Sequence, residues 1–359
     1  MTQPIRVVGI GFDHMHIGDQ LATAMQHPLA EVVGVLDRSR DRPVAVTGDL
    51  RLETPIFTDF DELIRSTAPD LAFVCSTTAE HPNWVEKLAA AGVHMIIDKP
   101  MADSLDAAER MVADAAASAV VLAVNWPQAW IPSHRTAKRL VDDGVIGVVE
   151  QVHYYGGNRG PLYHSHGKAE LHPTVADKAD SWWYAPEAGG GSLRDYLGYA
   201  TTLGTWYRDG EMPWGVTAAS HVPDGLRVDE QTVVIGHYAS GLSVFETRWG
   251  THTDPWTLQP QPHCGFVLNG TEGSISSWDY DDGVTLHRAG VPSRIPIDDI
   301  AFEDRTALAN VIAHLREGRP LDPPLTAAIS LAGHAIVEAA IESVGTSALV
   351  RLPARLPVR

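Results

Sequence analysis

The chain has 359 residues, 44% hydrophobic and 20% charged, the composition of an ordinary globular protein of about two domains. A net charge of −18 argues against nucleic acid or an anionic membrane as partner, since both need a basic face. Two cysteines, Cys75 and Cys264, with no C-x-x-C pair argue against a disulfide framework or a zinc cluster of thiolates.

Ile5–Ile10 is a short apolar run that reads as a buried strand, and Gly9-Ile10-Gly11 and a helix over residues 14–26 follow it. Residues 32–36 form a second strand that ends at Asp37. Strand, glycine turn, helix, strand and acid, in that order, make a dinucleotide site. Backbone N–H groups and the helix dipole around Gly9, Gly11, Phe12, Asp13 and His14 face a pyrophosphate, and Asp37 accepts from a ribose 2′-OH. His14 stands where the third glycine of G-x-G-x-x-G belongs. The Asp37 carboxylate favours NAD by repelling a 2′-phosphate, whereas Arg38 beside it could stack on adenine or tolerate NADP.

A polar stretch follows, then strands at 55–57, 71–75, 94–97 and 120–124 alternating with helices at 59–66, 83–91 and 105–118. Thr58 or Asp59, and Ser104 or Asp103, are the expected caps of the first and last of these helices. The alternation predicts a doubly wound parallel sheet, a Rossmann domain over residues 1–125. After Asn125 come a helix at 133–143 and strands at 148–155, 215–221, 230–238, 242–249, 264–268, 274–278 and 284–287, several joined by glycine turns. One helix, 193–207, interrupts them, and helices at 302–317 and 325–343 close the chain. Residues 126–359 are therefore expected to form an α+β domain on a large open, mainly antiparallel sheet, its last helices packing back on the Rossmann domain. The early first strand and the lack of an apolar run near transmembrane length point to a cytoplasmic protein without a leader.

Asp98-Lys99-Pro100 falls at the carboxyl end of the fifth strand, the edge where such sheets bind ligands. A lysine there can polarise a carbonyl or stabilise an alkoxide. Ser76-Thr77-Thr78 with His81, and Asn125, occupy the same edge and can contact ribose and phosphate; Thr78 or Glu80 capping the next helix is the plainer role. Gly189-Gly190-Gly191 opens a helix on which Asp195 and Tyr199, four residues apart, share a face. Near Lys99 they make an acid–base group, with the phenol's pKa lowered by the ammonium. Residues 158–181 form a long histidine-rich loop in which His164, His166 and His172 lie near Asp177; a lid over the cleft is the preferred reading, and no metal ligands are assigned. His14-x-His16 reads as helix-terminus packing. Trp126, Trp182 and Trp183 are candidates to stack on a sugar ring, with core packing as the alternative.

Gly9-x-Gly11, Asp98-Lys99-Pro100 and Gly189-Gly190-Gly191-x-Leu193-x-Asp195-x-x-x-Tyr199 together resemble the glucose–fructose oxidoreductase/inositol dehydrogenase family, Gfo/Idh/MocA, over nearly the whole chain. The resemblance implies hydride transfer between NAD(P) and a sugar, polyol or related hydroxyl compound. In that family an E-K-P lysine lies at the nicotinamide and substrate, and a D-x-x-x-H pair supplies a second acid–base residue. Lys99, Asp195 and Tyr199 take those roles here, with Asp98 replacing the glutamate and Tyr199 the histidine. It also implies a homodimer or homotetramer through the C-terminal sheet. Three rivals remain open at this point: a redox-neutral NAD-dependent glycosidase or lyase, a non-catalytic nucleotide sensor, and metal-dependent hydrolysis by the loop histidines.

Overall fold

The computed structural model describes residues 3–353. Six parallel strands come first: β1 Ile5–Ile10, β2 Ala30–Leu36, β3 Ile56–Phe57, β4 Leu71–Val74, β5 His94–Asp98 and β6 Leu122–Asn125. They are ordered β3-β2-β1-β4-β5-β6, so the order reverses between β1 and β4 and opens a crevice at their carboxyl ends. Helices α1 His16–Gln26, α2 Asp41–Leu50, α3 Phe60–Thr67, α4 His81–Ala90 and α5 Leu105–Ala117 cover the sheet. Because both faces are covered, β4 and β6 are buried at every residue and show no alternation.

The local chemistry departs from expectation in three places. Helix α1 starts at His16, because His14 and Met15 form a tighter turn that accepts from Ile17 and Gly18 N–H at 3.3 and 3.2 Å. Helix α2 was not anticipated: it buries only Pro43 and Thr47 and so carries little apolar periodicity. Helix α4 begins at His81 behind the short turn Thr78–Glu80 and has no side-chain cap, so neither Thr78 nor Glu80 plays that part. Asp59 does cap α3 and Ser104 caps α5, accepting from Glu62 and Ala107 N–H.

The rest of the chain builds on a nine-stranded sheet. It contains α6 Pro132–Asp142, β7 Val149–Asn158, α7 Val175–Asp180, α8 Ser192–Asp195, α9 Leu197–Tyr207, β8 Gly215–His221, β9 Gln231–His237 and β10 Leu242–Trp249. Then follow β11 Gly265–Gly270, β12 Gly273–Trp278, β13 Gly283–Arg288, β14 Val291–Pro296, α10 Ala307–Glu317, α11 Ala327–Thr346 and β15 Val350–Arg351. The order is β14-β13-β12-β11-β7-β10-β9-β8-β15; every pairing is antiparallel except β7 with β10. Burial alternates along β9 and β10: Val234 and Phe245 face α9, and Val233, Ile235 and Val244 face outward. Strands β14 and β15 were not anticipated.

The single helix expected over 193–207 is two, separated at Tyr196. The Tyr196 N–H still bonds Ser192 O at 2.9 Å, but Tyr199 N–H reaches back only three residues, to Tyr196 O. Helix α10 packs against the Rossmann sheet, placing Leu308, Val311 and Ile312 in one cluster with Ile17, Leu21 and Phe73. Helix α11 corrects the reading of the apolar runs: by length and hydropathy it could cross a membrane. It is a core helix here, with Leu331, Ile336 and Val337 buried in the cluster that holds Leu197 and Leu203 of α9.

Candidate active site

Two elements meet at the carboxyl ends of β1 and β4. Gly11 has φ +75°, and a Cβ built there would lie 2.7 Å from Ser76 N, so only glycine lets the two turns touch. Among the described residues the N–H groups of Phe12 and Asp13 form no backbone hydrogen bond, which leaves them to an anion. That turn therefore fits a dinucleotide phosphate, and Ser76, Thr77 and Thr78 lie buried beside it. At the ribose end Asp37 is already engaged: Arg42 grips it with two hydrogen bonds of 2.8 and 2.7 Å and also reaches Asp13. Arg38 bonds Asp13 and Glu80. The Asp37 carboxylate is thus charge-compensated rather than bare. His81 points away from the cleft, its Nδ1 against the carbonyls of Pro100 and Met101 at 3.1 and 3.2 Å, so it holds the turn that carries Lys99.

The strand and helix signals 96 residues apart converge on one ion pair. Lys99 Nζ donates to Asp195 Oδ1 at 2.6 Å, and both side chains are buried. The glycine run makes this possible: a Cβ on Gly190 would lie 2.3 Å from Trp183 O, so the chain ahead of α8 threads against the backbone of residue 183. Lys99 Nζ also lies 5.4 Å from the centre of the Tyr199 ring and 5.7 Å from that of Trp183. Burial raises the Asp195 carboxyl above its ordinary value, with the Lys99 ammonium opposing. Tyr199 moves opposite to expectation: burial, with Asp98 and Asp195 nearby, pushes its phenol well above 10, so it is a neutral phenol at pH 7.

These groups open on a cavity of about 420 Å³. Its wall includes Lys99, Asn125, His164, Asp195, Tyr199 and, from the predicted aromatics, Trp183. Trp126 is not in it; its ring packs edge-on to Tyr199 and its indole N–H donates to Ser330 Oγ at 3.0 Å, a structural role. Trp182 also lies outside the lining, stacked on Trp183 and donating to Asp13 O at 3.0 Å, which ties the second half of the chain to the glycine turn. Sequence reasoning missed Tyr196, Trp249, Trp256 and Tyr280 in the wall, because they come from segments far apart in the chain and share no motif.

The loop 158–181 is folded. Its Gly167 N–H donates to Asp19 of α1 at 2.7 Å, and α7 starts with a Thr174–Asp177 capping box. Only His164 of its three histidines lines the cavity, edge-on to Trp256, and burial lowers its pKa to about 4. Among the described residues the three do not assemble into a metal-ligating group; His14, His16 and Asp98 do, with ligand atoms within 4.8 Å of one another. So His14-x-His16 does more than pack a helix end: both rings contact the carboxylate of Asp98, at the strand end beside Lys99.

Comparison with known proteins places this arrangement. A family model described as "Oxidoreductase family, NAD-binding Rossmann fold" matches residues 5–126, and one described as "GFO/IDH/MocA C-terminal domain" matches residues 134–276. The 1,5-anhydro-D-fructose reductase of Ensifer adhaerens is 26% identical over 86% of this chain and 89% of its own. The 2,7-anhydro-N-acetylneuraminate hydratase of Mediterraneibacter gnavus is 25% identical over 83% and 73%. Over three other curated relatives the match spans 44%, 33% and 50% of their length. The WlbA dehydrogenase of Bordetella pertussis, solved with NADH and UDP-GlcNAcA, shares the fold at a TM-score of 0.80 with 17% identity, covering 98% of this chain and 99% of its own.

Proposed function

The chain belongs to the Gfo/Idh/MocA oxidoreductase family, and from that premise we propose that it transfers hydride between NAD and the carbon bearing a hydroxyl group in a sugar, polyol or related compound. The observation that carries this reading is the buried Lys99–Asp195 pair, set beside Tyr199 in the wall of the cavity at the dinucleotide edge. NAD would be held by the Gly9–Gly11 turn with Phe12, Asp13 and Ser76 and would supply the hydride chemistry, whereas the His14 N–H is already spent on Cys75 O at 3.1 Å. Lys99 holds the substrate oxygen and stabilises charge that develops on it. Asp195 fixes the ammonium. Tyr199, neutral at pH 7, donates the proton in the reducing direction.

The aromatic wall suits the apolar face of a sugar ring. Lys168, whose ammonium sits 3.9 Å from the Tyr280 ring centre on that wall, gives a carboxylated substrate a cation to meet. Charged sugars and anhydro-sugars therefore lead the panel that tests the proposal, run with NADH and with NADPH and followed by loss of nicotinamide absorbance. Turnover of one such compound supports it. Conversion of substrate with bound cofactor and no net change in NADH would replace it with the redox-neutral reading. NADP is the secondary cofactor in this proposal, because Arg38 and Arg42 flank Asp37. A homo-oligomer through the outward face around Val233, Ile235, Val244 and Val267 is part of the same reading, and light scattering checks it.

A further inference from the structure

We infer that His14, His16 and Asp98 bind one divalent transition-metal ion of the zinc class, at the edge of the cavity that holds Lys99. Three features of the cluster carry the inference. The first is spacing. His14 Nδ1 lies 3.2 Å from Asp98 Oδ2, and His16 Nδ1 lies 3.1 Å from Asp98 Oδ1. Metal–ligand bonds of about 2.0–2.2 Å at angles between a right angle and a tetrahedral one put neighbouring ligand atoms about 3.0–3.5 Å apart. Two of the three ligand separations already fall in that range, each to a different Asp98 oxygen, and all three ligand atoms lie within 4.8 Å of one another.

The second is a conflict over a proton. His14 Nδ1 faces both the amide N–H of His16, at 3.2 Å, and the Asp98 carboxylate. The amide needs a lone pair on that nitrogen and the carboxylate needs a proton, and one atom cannot offer both. With the proton on Nδ1, the His16 amide meets an N–H. With it on Nε2, a lone pair faces a carboxylate, and the Nε2–H is buried with no partner among the described residues. His14 is only 3% exposed, so water does not relieve the conflict cheaply. A cation on the Nδ1 lone pair removes the clash with the carboxylate and leaves the proton on Nε2; the His16 amide, at the same 3.2 Å, then gives up its acceptor.

The third is access. Two imidazoles and one carboxylate fill one side of a coordination sphere and leave positions open. His14 and His16 both line the cavity, so those positions face a ligand in it. The charge of Lys99 is balanced by Asp195, so a dication does not meet a bare ammonium. Residue chemistry favours zinc, cobalt, nickel or ferrous iron over magnesium or calcium, which take all-oxygen sites.

The test uses the full chain stripped with chelator and free of NAD. Titration with Co²⁺, followed by its visible d–d absorption, is expected to saturate at one equivalent, and Zn²⁺ is expected to displace it. His16→Gln and Asp98→Asn should each weaken Co²⁺ binding tenfold or more, with thermal unfolding of each metal-free variant reporting that it is folded. No saturable Co²⁺ band in the wild-type protein overturns the inference, as does equal binding by a folded His16→Gln variant, which would mark an adventitious ion only. NAD binding by the same stripped protein, read from tryptophan fluorescence, is scored separately. A protein that binds NAD and refuses Co²⁺ keeps its cofactor site and loses this metal site.

Discussion

Two buried polar clusters in this chain look alike and behave differently. One is His134, Ser277 and Asp279: His134 Nδ1 meets Ser277 Oγ at 2.7 Å and Nε2 meets Asp279 Oδ1 at 2.8 Å. Gln128 reaches the other Asp279 oxygen at 3.4 Å and accepts from the Tyr154 hydroxyl at 3.0 Å. Serine, histidine and aspartate in a row evoke nucleophilic catalysis, yet none of the three lines the cavity and both histidine nitrogens are used. The other cluster is Lys99, Asp195 and Tyr199 with His14 beside them. Here Lys99 spends one of its three N–H donors on Asp195, and His14 Nε2 has no partner among the described residues. The first cluster is closed on itself and joins α6 to β12; the second has capacity left over and faces open space. Unspent hydrogen-bonding capacity next to a cavity, rather than residue type, separates a site from a brace.

Swapping the two clusters' expected phenotypes would break that comparison. Lys99→Ala should reduce turnover by about three orders of magnitude, roughly 4 kcal/mol of transition-state stabilisation, because it removes both electrostatic help and the partner that orients the proton transfer. Its denaturation midpoint should move less, since Asp195 lines a cavity and burial raises its carboxyl pKa, so it takes up a proton more readily once the ammonium is gone. His134→Ala should do the reverse. It strands Asp279 and Ser277 in the core and should cost about 3 kcal/mol of stability by urea unfolding, while the folded fraction keeps its turnover. A stable His134→Ala protein with crippled turnover would place the closed cluster in the chemistry and end the distinction.

The sequence could show the second cluster and not the first, for a physical reason. Lys99 is found by topology, since a residue after a buried strand in an alternating pattern must sit at the ligand edge. Asp195 and Tyr199 follow from a glycine run and a helical spacing. His134 and Asp279, by contrast, lie 145 residues apart on a helix and a strand end, and no periodicity encodes their meeting. The same limit hid the cavity's Trp249, Trp256 and Tyr280. It also hid Arg42, because the polar stretch after Asp37 gave no sign of being α2, the helix that aims this arginine back at the acid. Trp126 follows a strand at the right edge, but its ring turns inward toward Gly198 and Ser330, a direction that chain position does not encode. The Tyr199 shift has the sign that burial dictates, and burial is a property of the whole fold that a local spacing does not carry.

Tyr199→Phe sharpens the comparison inside the open cluster. The ring contacts with Trp126 and Tyr196 survive the change, and only the hydroxyl is lost. Turnover should fall about a hundredfold, the low end for a general acid. The pH dependence has a definite sign. The folded protein holds the Tyr199 proton above pH 10, where an unfolded chain releases it, so this group's contribution to stability is intact below pH 10 and declines as pH rises beyond it. The variant lacks that loss. The melting temperature of wild type minus that of Tyr199→Phe should be flat from about pH 7 to pH 9 and fall above about pH 10. A difference that grows with pH would mean that the phenolate is favoured in the fold, and Tyr199 would then serve as the base rather than the acid.

Arg42 is the smallest and most discriminating case, because it stands between the two clusters in kind. Like His134 it spends its donors, two on Asp37 and one on Asp13; like Lys99 it sits at the dinucleotide edge. Its side chain is 33% exposed and Arg38 still meets Asp13, so Arg42→Ala should cost about 1–2 kcal/mol of stability, mainly for leaving the buried Asp37 unpaired. The expected effect is on choice of cofactor. Without the guanidinium, Asp37 faces a 2′-phosphate as an uncompensated carboxylate, and the ratio of the NADP to the NAD dissociation constant should rise about tenfold, roughly 1.4 kcal/mol. Calorimetric titration with each nucleotide measures it. A ratio that stays fixed while stability drops by several kcal/mol would make Arg42 a brace like His134, and spent donors would then mark structure even at the edge of the site.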